Sequence, residues 1–253
     1  MNISEFISTL PGSVLKGNNI KMPDNVIRRM FNLASLDASD IFYDLGCGNS
    51  DAIYIASTEY KVKKAIGVEK SKTAVREIVG KTQKLKNVKV VINDIRRMDI
   101  SDGNVFLFLS NDDRIIQKMI RKFTSELKFG SKIISIWSPP GLIMPDKIDF
   151  PFFVSSTPFK FAVSIEEQIK VVYGQKCLDF TAAWMLGDKY LESLEVVPSQ
   201  YKRFLNILYA MIIWINAWKM KVSCEDEIPP PVESYLGILR TFFNIDMSSL
   251  IEH

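Results

Sequence analysis

Histidine is all but missing from this chain, and cysteine is scarce. His253 supplies the one imidazole, and Cys47, Cys177 and Cys224 stand far apart with no paired spacing. A zinc site needs clustered His and Cys ligands, and a disulfide framework needs a dense set of cysteines; the sequence supports neither. Long apolar runs are also lacking. The longest, Phe204 to Ile215, falls short of the roughly 20 residues of a membrane span and is bracketed by Lys202, Arg203 and Lys219. It reads as a helix buried in a bundle or an oligomer interface, with no membrane partner. No charged segment followed by a short apolar one opens the chain, so a cytoplasmic setting is expected. The 47% hydrophobic content excludes global disorder.

Against these absences stands one informative stretch, Tyr43-Asp44-Leu45-Gly46-Cys47-Gly48-Asn49-Ser50-Asp51. It follows an apolar run from Ile41 and precedes a helix-like segment, as in a cofactor-binding βα unit. Gly46 and Gly48 let the backbone approach a ligand; Cys47 between them belongs to the same cofactor-binding loop, its small side chain reading as packing. A dinucleotide loop would carry a third glycine where this chain has Asp51, whose charge would repel a pyrophosphate. Asp44, at the end of the strand, suits an ammonium group. The loop therefore fits a cofactor with a cationic amine and no phosphate, S-adenosyl-L-methionine.

Two further signals are in register. Lys64 to Glu69 reads as the next buried strand and ends in a carboxylate 21 residues after Gly48, close to the roughly 20 expected of a ribose-binding acid; Lys70, which follows it, is expected to join it in binding the cofactor. Val88 to Asn93 reads as a third strand, with Asp94 and Ile95 placed to read an adenine amine.

Pro23 to about Pro139 resembles a class I S-adenosylmethionine-dependent methyltransferase. More narrowly, it is similar to small archaeal protein-lysine methyltransferases related to the non-SET histone lysine methyltransferases. The likeness rests on Pro23 to Met30, Tyr43 to Gly48, Lys64 to Glu69 and Leu127 to Ser135. It implies a Rossmann-like, mainly parallel seven-stranded α/β sheet with helices on both faces, and a protein substrate. The chain departs from the family at Asn49-Ser50-Asp51, where Asp-Gly-Arg is usual. Ser110, Asn111 and Asp112, after the fourth strand, lie where an acceptor amine would arrive and could orient it, Ser110 also being expected to border the cofactor; a polar turn capping the next helix is the equal alternative.

Strand and helix alternate along 41–45, 52–59, 64–69, 72–85, 88–93, 105–109, 113–127 and 132–137, which predicts the parallel sheet independently of any resemblance. Phe106 and Phe108 read as core, and Trp137 as a residue at the pocket mouth. Ser138-Pro139-Pro140-Gly141 reads as a turn rather than the polar-Pro-Pro-aromatic motif of base amino-methyltransferases. Antiparallel strands around Pro151–Ser156 and Ile169–Tyr173 are expected to finish the sheet. Residues 1–175 would form the methyltransferase domain. A helical extension, 176–253, would hold helices over Cys177–Leu194, Ser199–Val222 and Val232–Phe243, separated by prolines, and could serve substrate binding, homo-oligomer formation or capping of the site.

Charge divides the same way. Residues 1–175 carry 25 basic against 19 acidic groups, and residues 176–253 carry 7 against 10. Twelve of the basic residues fall in 61–97. They read first as a solvated helix face and second as attraction for an acidic partner or nucleic acid; no aromatics interleave them, as single-strand binding would require. The leading functional reading is an S-adenosylmethionine-dependent protein-lysine methyltransferase. The alternatives are a nucleic-acid or small-molecule methyltransferase, or a non-catalytic assembly module with the same fold.

Overall fold

Short β-rich runs separated by amphipathic segments give a seven-stranded sheet in the order β3-β2-β1-β4-β5-β7-β6. In the computed structural model the described residues are 22–253 apart from 49–50, 111, 137, 150–151, 175, 195–198, 220, 247, 249–250 and 252–253. They form two compact units that divide between Ala162 and Val163.

The first unit holds helix α1 (Asp24–Ala34), β1 (Ile41–Leu45), α2 (Asp51–Thr58), β2 (Lys64–Glu69), α3 (Lys72–Thr82), β3 (Val88–Ile92), β4 (Val105–Phe108), α4 (Asp113–Glu126), β5 (Lys132–Ile136), β6 (Lys147–Asp149) and β7 (Phe152–Ser156). β1 to β5 pair in parallel, and β7 runs antiparallel to both β5 and β6. The central strands are buried on both faces, as the largely apolar make-up of β1, β2 and β4 requires. Phe106 and Phe108 join Tyr43, Ile66, Val68, Met119 and Phe123 in the core beneath α4, as their alternation predicts. Helix α1 lays Val26, Ile27, Met30 and Phe31 inward. The Lys132 and Lys147 ammonium groups donate to carbonyls at its C-terminal end, those of Ala34 and Leu33, where unpaired carbonyls favour cations.

The expected reversed strand near 151–156 is present as β7. The expected strand at Ile169–Tyr173 is not: the segment is helix α5 (Ile165–Tyr173). Ser164 caps it by accepting from the Glu167 amide at 3.3 Å, and the Glu167 carboxylate reaches back to the Val163 amide at 2.6 Å. This Ser-x-x-Glu capping pattern outweighs the β-branched Val171 and Val172. Pro139 to Gly141 form the expected turn, closed by the Ile143 amide on the Pro140 carbonyl at 3.2 Å.

In the second unit α5 is followed by α6 (Phe180–Leu194), α7 (Ser199–Lys219) and α8 (Pro230–Phe243). Ile169 of α5 packs in one core with Ala183, Met211, Trp214 and Val232, so the helical texture begins ahead of residue 176. Trp214 is fully buried, and its indole N–H donates to Glu225 at 2.8 Å. Among the described residues no helix is long and apolar enough to cross a membrane.

Cysteine spacing misled the sequence reading here. Cys177 and Cys224 form a disulfide across 47 residues. The fold brings them together where Leu178 bridges Ser223, flanking the Glu225 carboxylate that accepts from the Phe180 amide, the Trp214 indole and the Ser223 hydroxyl. A loop of that length stabilises by about 4 kcal/mol on the chain-entropy account. Reductant, or Cys177→Ser with Cys224→Ser, is expected to lower the calorimetric melting temperature of the protein. An unchanged melting temperature under reduction would show that the staple contributes nothing.

Candidate active site

Strand order turns back at β1, which has β2 on one side and β4 on the other. The crossovers leave in opposite directions there, and a crevice opens beyond the strand's carboxyl end. The glycine loop occupies that position. The Gly46 and Cys47 amides both donate to the Val68 carbonyl, at 2.9 and 3.2 Å, which ties the loop to the end of β2. Gly46 has φ +98° and Gly48 +47°, conformations that side-chain-bearing residues rarely adopt. Among the described residues, and apart from its two chain neighbours, no atom lies within 4 Å of where a Cβ at Gly46 would stand.

Asp44 stands two residues before Gly46, near the end of β1. It is aligned with Gly67 of β2 and Leu107 of β4 and is 7% exposed. Burial first, and the like charge of Glu69 second, push its carboxyl up to about 7. Gly67 is needed for close approach: a Cβ there would meet Ile53 Cδ1 at 2.3 Å and Cys47 Sγ at 2.8 Å. Cys47 is thus a packing side chain. The residue is 4% exposed, and its thiol is pushed up by burial, then by Asp44 and Glu69.

Glu69 locks the site together. One carboxylate oxygen accepts from the Gly48 amide at 3.2 Å; the other accepts from the Lys70 and Ser71 amides at 2.7 and 2.9 Å. The loop after β1 and the start of α3 are therefore fixed by a single side chain.

Asp94, beyond β3, is more heavily engaged than its sequence position suggests. The Arg96 guanidinium grips both of its oxygens, the Arg96 amide donates to it at 3.0 Å, and Lys70 Nζ lies 3.2 Å away. The Arg96 hydrogen bonds hold the Asp94 carboxyl far below the usual range. Arg96 is the site residue that sequence reasoning missed. A basic residue two positions after a strand-end acid was the available signal. Ile95 is half-buried against the core beneath α4.

Ser110 and Asp112 flank the start of α4. Asp112 accepts from the Arg114 and Ile115 amides at 2.8 and 3.3 Å, and its own amide donates to the Ser110 hydroxyl at 3.3 Å. Asp112 is the N-cap of α4, the second of the two expected readings. Partial burial pushes its carboxyl up, but the capping amides outweigh this and hold it low. Asn111 and Trp137 lie outside the described residues, as do Asn49 and Ser50 of the loop; Asp51 opens α2. No group of three or more metal-ligating side chains occurs among the described residues.

The methyltransferase-domain family model matches residues 36–194, more than half of the chain. The chain belongs to that family. A curated protein-lysine N-methyltransferase of Saccharolobus islandicus (strain REY15A) is 31% identical over 135 residues, covering 49% of this chain and 82% of that protein. A crystal structure described as an RNA methyltransferase from Salinibacter ruber in complex with S-adenosyl-L-homocysteine superposes with a TM-score of 0.53. It is 22% identical and covers 58% of this chain and all of that one. That likeness concerns the fold: the class I, S-adenosylmethionine-dependent methyltransferase sheet, with its one reversed strand β7. The unit built on β1 to β7 is the catalytic scaffold of a methyltransferase.

Proposed function

We propose that this methyltransferase transfers a methyl group from S-adenosyl-L-methionine to the ε-amine of a protein lysine. The cofactor part is carried by Asp44: a buried carboxylate, pushed up to about 7, two residues before Gly46 of the glycine loop. An ammonium group placed there restores the charged carboxylate, which nothing among the described residues does. The acceptor part is supported by the identity to the Saccharolobus islandicus enzyme.

In this reading Asp44 holds the cofactor's amine, and the Gly46 to Gly48 backbone accommodates its methionine portion. Glu69 accepts from the ribose hydroxyls with the lone pairs its three amide donors leave open. Asp94 and Ile95 border the adenine, with Arg96 and Lys70 fixing the carboxylate's direction. S-adenosylmethionine supplies an activated methyl on a sulfonium, so the chain has to align the acceptor and exclude water. A lysine ammonium must first lose its proton, which an apolar approach favours by disfavouring the cation. Ser110 orients the incoming amine, next to the Asp112 cap.

A cytoplasmic setting is part of the proposal. Incubation with methyl-labelled S-adenosylmethionine and a cell extract, followed by protease or nuclease digestion, tests the acceptor. Label that is released by protease and recovered as methyl-lysine is expected; label released only by nuclease would assign the chain to nucleic acid instead.

A further inference from the structure

The twelve basic residues of 61–97 do not form one uniform face. Lys64 pairs with Asp102, and Lys70 and Arg96 with Asp94. Five others collect at one end of the sheet. Lys61 and Lys63 lead into β2, Lys81 lies in the last turn of α3, and Lys84 and Lys86 stand in the turn entering β3. β2 and β3 are parallel, with Ala65 opposite Val88, so both approaches lie side by side at the amino ends of the strands. Asn87 fastens them: its carbonyl accepts from the Ala65 amide at 2.8 Å, and its side-chain amide donates to the Val62 carbonyl at 2.7 Å. All five lysines are exposed, and none has an ion pair among the described residues. The acids on flanking segments are engaged elsewhere, Glu59 by Arg28, Asp102 by Lys64, Asp40 by Asn104 and Asp37 by Ser39, which leaves Glu77 of α3.

This patch is at the opposite end of the strands from Asp44, Gly46 and Glu69, so the reaction does not account for it. We propose that it is a docking surface for the phosphate backbone of duplex nucleic acid. Its chemistry fits that partner. Lysines are point charges on mobile stems, suited to sequence-independent phosphate contacts. A protein partner would call for an apolar, desolvated centre, from which lysine is depleted. No aromatic residue stands within 61–64 or 81–89 to stack unpaired bases. The surface recruits the enzyme to a polyanion and leaves cofactor binding untouched.

The test is fluorescence anisotropy of a labelled mixed-sequence DNA duplex, titrated with the full chain over a series of potassium chloride concentrations. Five phosphate contacts give log affinity against log salt a slope of about −4.5, and Lys81→Ala with Lys84→Ala and Lys86→Ala reduces it to about −2. S-adenosylhomocysteine affinity, measured on the same triple variant, is expected to be unchanged and reports that it is folded. No binding at low salt, or a slope that the triple variant does not alter, overturns the proposal. Binding of a poly-glutamate peptide as tightly as the duplex also overturns it, because the patch would then serve an acidic protein.

Discussion

Asp44→Asn is expected to weaken S-adenosylhomocysteine binding at least about a hundredfold, and yet to raise the melting temperature of the cofactor-free protein above neutral pH. Both effects have one cause. The Asp44 carboxyl is raised in the folded state from its ordinary 3.8 to about 7, by burial and by Glu69. A carboxyl raised on folding binds more protons in the native than in the unfolded state between those values, so stability falls as pH rises from about 4 to about 7. Above that range the folded chain carries a cost on the order of 2–4 kcal/mol, which asparagine removes. The neutral amide of the variant cannot neutralise an ammonium, and breaking a buried charge pair costs about 3–5 kcal/mol. Calorimetric melting at about pH 8 should show the variant as the more stable, and at about pH 4 the two should converge. A variant less stable at both pH values would show that Asp44 is not held at a cost.

Affinity should carry the same signature. Below about pH 7, cofactor binding to the wild-type chain must expel the Asp44 proton, so affinity should fall about tenfold per unit of pH. Asp44→Asn should show no such dependence.

The second large effect is expected at Glu69. Its carboxylate accepts from three amides, those of Gly48, Lys70 and Ser71, and each bond to a charged acceptor contributes about 1.5–3 kcal/mol. Glu69→Ala should leave far-ultraviolet circular dichroism intact, because β2 is buried over Ala65 to Val68. It should abolish measurable S-adenosylhomocysteine binding. Glu69→Gln, which keeps one carbonyl acceptor, should bind weakly. It should also lose the preference for S-adenosylhomocysteine over its 2′-deoxy analogue. That loss isolates the ribose role from loop positioning. Unchanged affinity in Glu69→Ala would refute the ribose assignment.

The sheet was legible in the sequence because its central strands are largely apolar runs, and strands buried on both faces have little else they can become. Asp44, the two loop glycines and Glu69 were legible for a related reason: each sits at a strand's carboxyl end, a position that spacing alone reveals. What spacing cannot reveal is who holds whom. Asp94 was readable as a strand-end acid, but the grip of Arg96 and Lys70 on it depends on how the turn folds. Cys177 and Cys224 are separated by 47 residues, and only the helical core brings them together. The helix at Ile165–Tyr173 was hidden by valines of high strand propensity, although Ser164 and Glu167 already carried its capping signal. By sequence Asp112 suits orienting a substrate and capping a helix equally; its amide contacts make it the cap of α4.

The most direct measurement is a calorimetric titration of the full chain with S-adenosylhomocysteine on either side of neutral pH, in buffers of different ionisation enthalpy. Saturable binding of one equivalent, tighter at the higher pH and releasing a proton at the lower, is the predicted result. A folded protein that binds nothing would contradict the account, and one that binds with no pH dependence and no proton release would remove Asp44 from its centre.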